Sequence, residues 1–387
     1  MRTLIDQLPA SKIREVANAA MGRTDVLAFW FGESDEPTPQ FIRDAAARSI
    51  AEGETFYSHN LGLAELREAL AGYVSSLHPA VESGRIAVTS SGVSALMLAM
   101  QALVGAGDEV VAVVPVWPNL TAQPAILGAQ VTRFALRPAP DGAWRLDIEA
   151  LKRTVTDRTR VLLINSPNNP TGWTLSRAEQ DALLAHCRST GTWIVADEVY
   201  ERIFFAGDGA RAACAPSFLD IAHADDRLIV VHSFSKSFLM TGWRLGWLVL
   251  PGGMAPALAK LIEFNTSCAP VFVQRAGLAA LAQAGAFVPG LVERLKACRD
   301  TLLPRLQALP GVTAAAPPGG LYAFFRAPGS DDSLAFAKRL VESAGVGLAP
   351  GAAFGAEGEG WLRWCFASHD PRRLEVGVDR LAAFLAL

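Results

Sequence analysis

The stretch 227-RLIVVHSFSKSFLMTGWRLGWLVLP-251 carries two apolar runs, "RLIVVHSF" and "GWLVLP", on either side of a polar, glycine-containing segment. Each run has the length and apolar content of a buried strand. Between them lies Lys236, flanked by Ser233, Ser235 and Ser237, with Arg244 eight residues further on. A lysine is ordinarily a solvated surface residue. One set among neutral hydroxyls and close to a second cation is expected to have a lowered pKa, as an imine-forming amine requires. The tetrapeptide around it fits a loop lysine without a role equally well. The rest of the chain has to decide.

Working outward, runs of the same kind recur: "RIAVTS", "EVVAVVP", "QVTRFAL", "RVLLINSP" and "TWIVADEV" precede the two already quoted. Helical periodicity fills the gaps at 93–104, 118–127, 176–190 and 254–264. Seven strands alternating with helices predict a three-layer α/β/α unit, its mainly parallel sheet covered on both faces. This unit is placed at 45–280. From 281 onward the order changes to long helices and short strand-like pieces, "GLYAFFRA" and "WLRWCFA". A smaller α+β domain is therefore expected from 281–387 together with an N-terminal arm, 1–44.

Composition narrows the classes. The 387 residues are half hydrophobic, enough to bury a large core, and the net charge of −3 comes with no basic run, which argues against a nucleic-acid binder. The N-terminal segment has Asp6, Lys12, Arg14 and Glu15 where a signal peptide would be apolar. A soluble cytoplasmic protein is expected. The five cysteines are scattered without CxxC spacing, and the six histidines form no ligand-like group, so no metal site is expected.

Ligands of such a sheet gather at the carboxyl ends of its strands. Four polar segments fall there. "TSSGVSALM" puts Ser91 and Gly92 at a helix N-terminus, where amides and the helix dipole favour a phosphate; a plain serine N-cap is the alternative. Ser233, Ser235 and Arg244 could add donors. In "VADEVY", Asp197–Glu198 ends an apolar run, so one carboxylate would be half buried and need a cationic partner such as a protonated ring nitrogen. The alternative is an acid capping the next helix. Tyr200 could reach a phenolic oxygen of the same ring. "NSPNNPTG" is strong turn chemistry, with Asn169 ahead of Pro170. A phosphate cradle, an acid for a ring nitrogen, donors for a ring oxygen and an amine together describe pyridoxal 5'-phosphate held as a Schiff base.

Nine motifs in order then resemble the class I/II aminotransferases, enzymes of fold type I: "GESDEPTP", "YSHNLGLAELR", "TSSGVSALM", "PVWPN", "NSPNNPTG", "DEVY", "SFSKSFLMTGWRLG", "GGLYAF" and "WLRWCFA". The resemblance implies that Lys236 links to the cofactor and shuttles the substrate proton, and that Asp197 pairs with the ring nitrogen. It gives Asn169 and Tyr200 the ring oxygen and stacks Trp117 on the ring. Gly92, Val93 and Ser94, with Ser233, Ser235 and Arg244, would hold the phosphate. Tyr57 would reach the phosphate of the neighbouring subunit, which implies a homodimer. Arg363 would grip the substrate α-carboxylate, with the Gly32 backbone, Asn169 and Trp117 beside it. Cis bonds are often found in the family before the positions of Pro115 and Pro170. Asn165 and Tyr322 are left as structural.

Substrate choice is less constrained. Some aspartate-using relatives carry a lysine where this chain has Ser94, and "FNTSCAPVF" (264–272) offers no basic residue for a second carboxylate. Phe29, Trp30 and Phe31, next to Gly32, suggest an apolar or aromatic amino acid, unless alternate ones pack in the small domain. The expected activity is amino transfer between an L-amino acid and a 2-oxo acid. A C–S β-lyase, or another outcome on the same fold, is the alternative.

Overall fold

All seven predicted strands form in the computed structural model, which describes residues 1–206 and 214–386. They are β1 Ile86–Thr89, β2 Glu109–Val114, β3 Gln130–Ala135, β4 Thr159–Asn165, β5 Trp193–Asp197, β6 Leu228–Ser233 and β7 Gly246–Val249. Their order in the sheet is β1-β7-β6-β5-β4-β2-β3. Neighbours from β6 through to β3 are parallel, whereas β7 runs antiparallel to both β1 and β6. The reversal has a local cause. Between β6 and β7 lie only the helical turn Phe234–Ser237 and a 3-10 turn, Thr241–Trp243, with no crossover helix to return the chain to the same end.

The sheet is apolar on both faces because it is covered on both. In β2, Val111 and Val113 enter one core, while Val110, Ala112 and Val114 enter the other. β4 divides likewise, with Leu162 and Ile164 opposed to Val161 and Leu163. This is the period of two expected of a pleated strand. The predicted helices appear at Gly92–Leu103, Asn119–Ile126, Arg177–Thr190 and Ala255–Asn265. That at 177–190 starts on a capping box between Ser176 and Glu179 and ends on left-handed Gly191.

Beyond residue 281, strands β8 Thr313–Ala314, β9 Tyr322–Arg326, β10 Ala349–Pro350 and β11 Leu362–Cys365 form an antiparallel sheet ordered β8-β9-β11-β10. Helices Ala284–Gln307, Ser333–Ala344 and Arg372–Leu385 accompany it. The N-terminal arm joins this part: Leu27–Ala28 pairs in parallel with Val346–Gly347. Among the described residues no single helix is long and apolar enough to cross a membrane.

Candidate active site

The carboxyl ends of β1, β4, β5 and β6 open into one cavity of about 240 Å³, closed from the other side by the N-terminal arm and by β9 and β11. It is lined by Lys236, Asp197, Tyr200, Asn169, Trp117, Gly92, Val93, Ser233, Ser235, Arg244, Arg363 and Gly32, all of them predicted site residues. Two predicted residues lie elsewhere. Tyr57 is 87% exposed, outside the cavity of its own chain. Ser94 does not line the cavity, and its N–H is donated to the Ser91 hydroxyl at 3.1 Å. Ser91 is thus the helix N-cap that the sequence offered as one reading. The Gly92 and Val93 amides, which make no hydrogen bond among the described residues, remain directed to the cavity end of the helix.

Lys236 leaves the turn after β6 and donates from Nζ to the Gly32 carbonyl at 2.6 Å. Burial of its amine lowers the pKa to about 8, and the nearby guanidinium of Arg363 and that of Arg244 push the same way. The lowering was expected, but desolvation is its chief cause and Arg363 outweighs Arg244.

The pleat separates the two acids of "DEVY". Asp197 faces the cavity, 3% exposed, and accepts only a long 3.4 Å hydrogen bond from the Val199 N–H. Burial raises its pKa to about 7. Glu198 turns away and accepts from Ser217 Oγ at 2.5 Å and the Phe218 N–H at 3.1 Å. There it comes within 4.8 Å of Glu201 and His232, a buried group whose carboxylates are already bonded by Ser217, Phe218 and His78.

Asn165, set aside in the sequence, ties the site together. Its Nδ2 donates to the Asp197 carbonyl at 3.0 Å, and its Oδ1 accepts the Asn169 N–H at 2.7 Å. Peptides Val114–Pro115 and Asn169–Pro170 are cis, as anticipated, and so is Ser166–Pro167.

Arg363, only 2% exposed, comes from β11. Its Nη1 donates to Asn169 Oδ1 at 2.9 Å and its Nη2 to the Trp30 carbonyl. The guanidinium lies 4.4 Å over the Tyr322 ring and 4.9 Å from that of Phe354. Its Nε is buried without a partner, a donor that an anion in the cavity would satisfy.

Tyr322 also lines the cavity, its hydroxyl 2.7 Å from that of Tyr200. The motif "GGLYAF" was the one signal that pointed to it. Thr241, which also lines the wall, stands within the motif "SFSKSFLMTGWRLG" but was not singled out, and Ile13 had no signal. Of the three aromatics beside Gly32, only Phe31 reaches the cavity. Phe29 packs on Trp364 at 4.7 Å between ring centroids, and Trp30 is buried against Gly347.

A family model described as aminotransferase class I and II matches residues 24–381. The chain belongs to this family. The aminotransferase is 32% identical over 386 residues to an aspartate aminotransferase of Thermotoga maritima, covering 98% of each chain. It is 29% identical over 387 residues to an aromatic-amino-acid aminotransferase of Thermococcus litoralis, covering 98% and 97%. A solved structure of a Thermus thermophilus aspartate aminotransferase mutant superimposes with a TM-score of 0.90 at 31% identity, covering 99% of each chain. The fold is that of fold type I, and the activity is transamination.

Proposed function

We propose that the aminotransferase binds pyridoxal 5'-phosphate in this cavity and transfers the amino group of an apolar or aromatic L-amino acid to a 2-oxo acid. The observation that carries the reading is the convergence of the Lys236 amine, the buried Asp197 carboxylate and the Arg363 guanidinium on one cavity. The residues suit the cofactor. Asp197 lacks a strong donor, as a carboxylate awaiting a ring N–H would. The Gly92 and Val93 amides and Arg244 offer a dianion site.

When bound, pyridoxal phosphate supplies the electron sink for the pair left when the substrate Cα–H bond breaks. With the cofactor bound, Lys236 Nζ would be the group placed to accept that proton and to return it, and a pKa of about 8 leaves part of the amine neutral near pH 7. Asp197 keeps the ring nitrogen protonated. Asn169 and Tyr200 would donate to the ring oxygen, and Trp117 would pack against the ring. Gly92 and Val93, with Ser233, Ser235 and Arg244, would hold the phosphate, whereas Ser94, its N–H bound to Ser91 and its side chain outside the cavity lining, drops out of the predicted set. Arg363, with Gly32 near it, holds the α-carboxylate.

Each basic side chain lining the cavity, Lys236, Arg244 or Arg363, has one of these tasks. None is left for a distal carboxylate, while Ile13 and Phe31 present apolar surface. That favours an apolar or aromatic substrate over the aspartate in the relatives' names. The exposure of Phe56, Tyr57 and Phe264, each above 80%, supports a homodimer in which Tyr57 serves the partner's site. A large unit at 45–280, a small one from 1–44 and 281–387, and a cytoplasmic location belong to the same reading.

A panel of amino donors tests it, following the cofactor's visible absorption. Phenylalanine, methionine or leucine should discharge it at least tenfold faster than aspartate. Equal or faster discharge by aspartate overturns the substrate class. Pyruvate and ammonia released without an acceptor would instead mark a lyase.

A further inference from the structure

We infer that Tyr322 is a positioning residue that acts through Tyr200, by donating the hydrogen bond that frees Tyr200's own hydrogen for the cofactor ring oxygen. The inference rests on the proposed placement of Tyr200. The two hydroxyl oxygens are 2.7 Å apart, with ring centroids 5.7 Å apart at 76°. Both phenols are buried, and both line the cavity. A phenol has one hydrogen to give. If Tyr200 spends it on Tyr322, nothing remains for the ring. If Tyr322 donates instead, a chain O–H···O–H···O forms in which each bond polarises the next.

Three contacts hold Tyr322 ready. Its β9 strand pairs it with Cys365, fixing its height over the cavity. The Arg363 guanidinium over its ring fixes the plane, and a nearby cation makes a phenol the better donor. Gly32 leaves room for the hydroxyl, since a Cβ there would lie 2.1 Å from Tyr322 Oη. Charged groups facing the pair are Arg363 and Glu33 around Tyr322 and Asp197 and Arg363 around Tyr200, with the Cys365 thiol beside Tyr322 and the Lys236 amine 5.7 Å from the Tyr200 ring. None of these is a neutral hydroxyl able to replace Tyr322.

The readout is the pH at which the visible band of the bound cofactor titrates, measured without substrate. Loss of a donor chain to the ring oxygen makes the ring oxygen more basic and raises the proton affinity of the linkage to Lys236. Tyr322→Phe keeps the ring over Arg363 and removes only the hydroxyl. It should move the titration upward by about half a unit or more, the size of one ordinary hydrogen bond. In a Tyr200→Phe background the same change should add nothing. An unchanged titration, or one moved downward because Tyr200 had been donating to Tyr322, overturns the inference. If Tyr200→Phe alone leaves the titration unmoved, the placement of Tyr200 fails instead. Should Tyr322→Phe not yield folded holoenzyme, Tyr322→Met is read in the same way.

Discussion

Arg363 donates from Nη1 to Asn169 Oδ1 at 2.9 Å, joining a strand of the C-terminal sheet to the turn that follows β4. The residue proposed for the substrate carboxylate thus touches one proposed for the cofactor ring. Both are buried, and a fork of donors is what the geometry exploits. Arg363→Lys keeps the charge but offers a point instead of a fork. It should raise KM for the amino donor about 10- to 100-fold, the value of one or two charge-assisted hydrogen bonds. Cofactor content should stay unchanged. Steady-state kinetics with a cofactor assay checks both, and loss of cofactor would mean that Arg363 serves a different partner.

Lys236→Ala should abolish transamination and the visible absorption of the cofactor linked to the chain, while the phosphate side can still hold the cofactor non-covalently. Borohydride reduction followed by peptide mapping tests the linkage directly. Label on any other lysine refutes the site.

Asp197 gives a stability prediction with a definite sign. Its pKa is near 3.8 unfolded and about 7 in the fold without cofactor. Below pH 3.8 both states are protonated and the residue costs nothing. As pH rises from 3.8 to 7 the unfolded chain ionises first, so stability is lost, by roughly 4 kcal/mol in total above pH 7. Asp197→Asn should therefore stabilise the cofactor-free protein at pH 8 and flatten its melting curve across pH 4–7. The same variant should transaminate several orders of magnitude more slowly, because an amide cannot hold the ring nitrogen protonated. Thermal melts against pH, with and without cofactor, separate the two effects.

Gly246 opens β7 beside the helix that begins at Gly92. A Cβ there would meet the Gly92 nitrogen at 2.6 Å, the Ser91 carbonyl carbon at 2.7 Å and the His232 carbonyl oxygen at 2.8 Å. All three are backbone atoms and cannot swing away. Gly246→Ala should cost about 2–4 kcal/mol, lower Tm by several degrees and weaken cofactor binding together with it. Gly253→Ala, where a Cβ meets nothing within 4 Å, controls for added volume, though its φ of +77° adds its own strain.

Much of this was legible in the chain. Seven apolar runs gave seven strands because burial on both faces demands continuous apolar sequence, a property each run carries by itself. Strand–helix alternation then set which ends of those strands collect ligands. Lys236, Asn169 and Arg244 follow from that rule, since each stands in a polar segment at such an end. What remained open lay partly in local geometry and partly in neighbours distant in sequence. The direction of β7 follows from a connection without a crossover helix. The choice of Asp197 over Glu198 lies in the pleat, which sends consecutive side chains to opposite faces. Phe31 is left at the cavity because Phe29 and Trp30 are taken up by packing on Trp364 and Gly347, contacts made by the C-terminal part of the chain.

Tyr322 and Ile13 are the clearest cases of what sequence could not supply. Local periodicity encodes the element in which a residue sits, and residue chemistry limits what it can do. Which hydroxyl meets which is fixed only when the C-terminal sheet and the N-terminal arm close over the ends of the central strands. Those contacts join residues more than a hundred positions apart. The sequence by itself determined the layers, the family's motifs and the chemistry available. The tertiary structure decided which residues share one cavity, because shape complementarity between distant surfaces leaves no periodic mark on the chain.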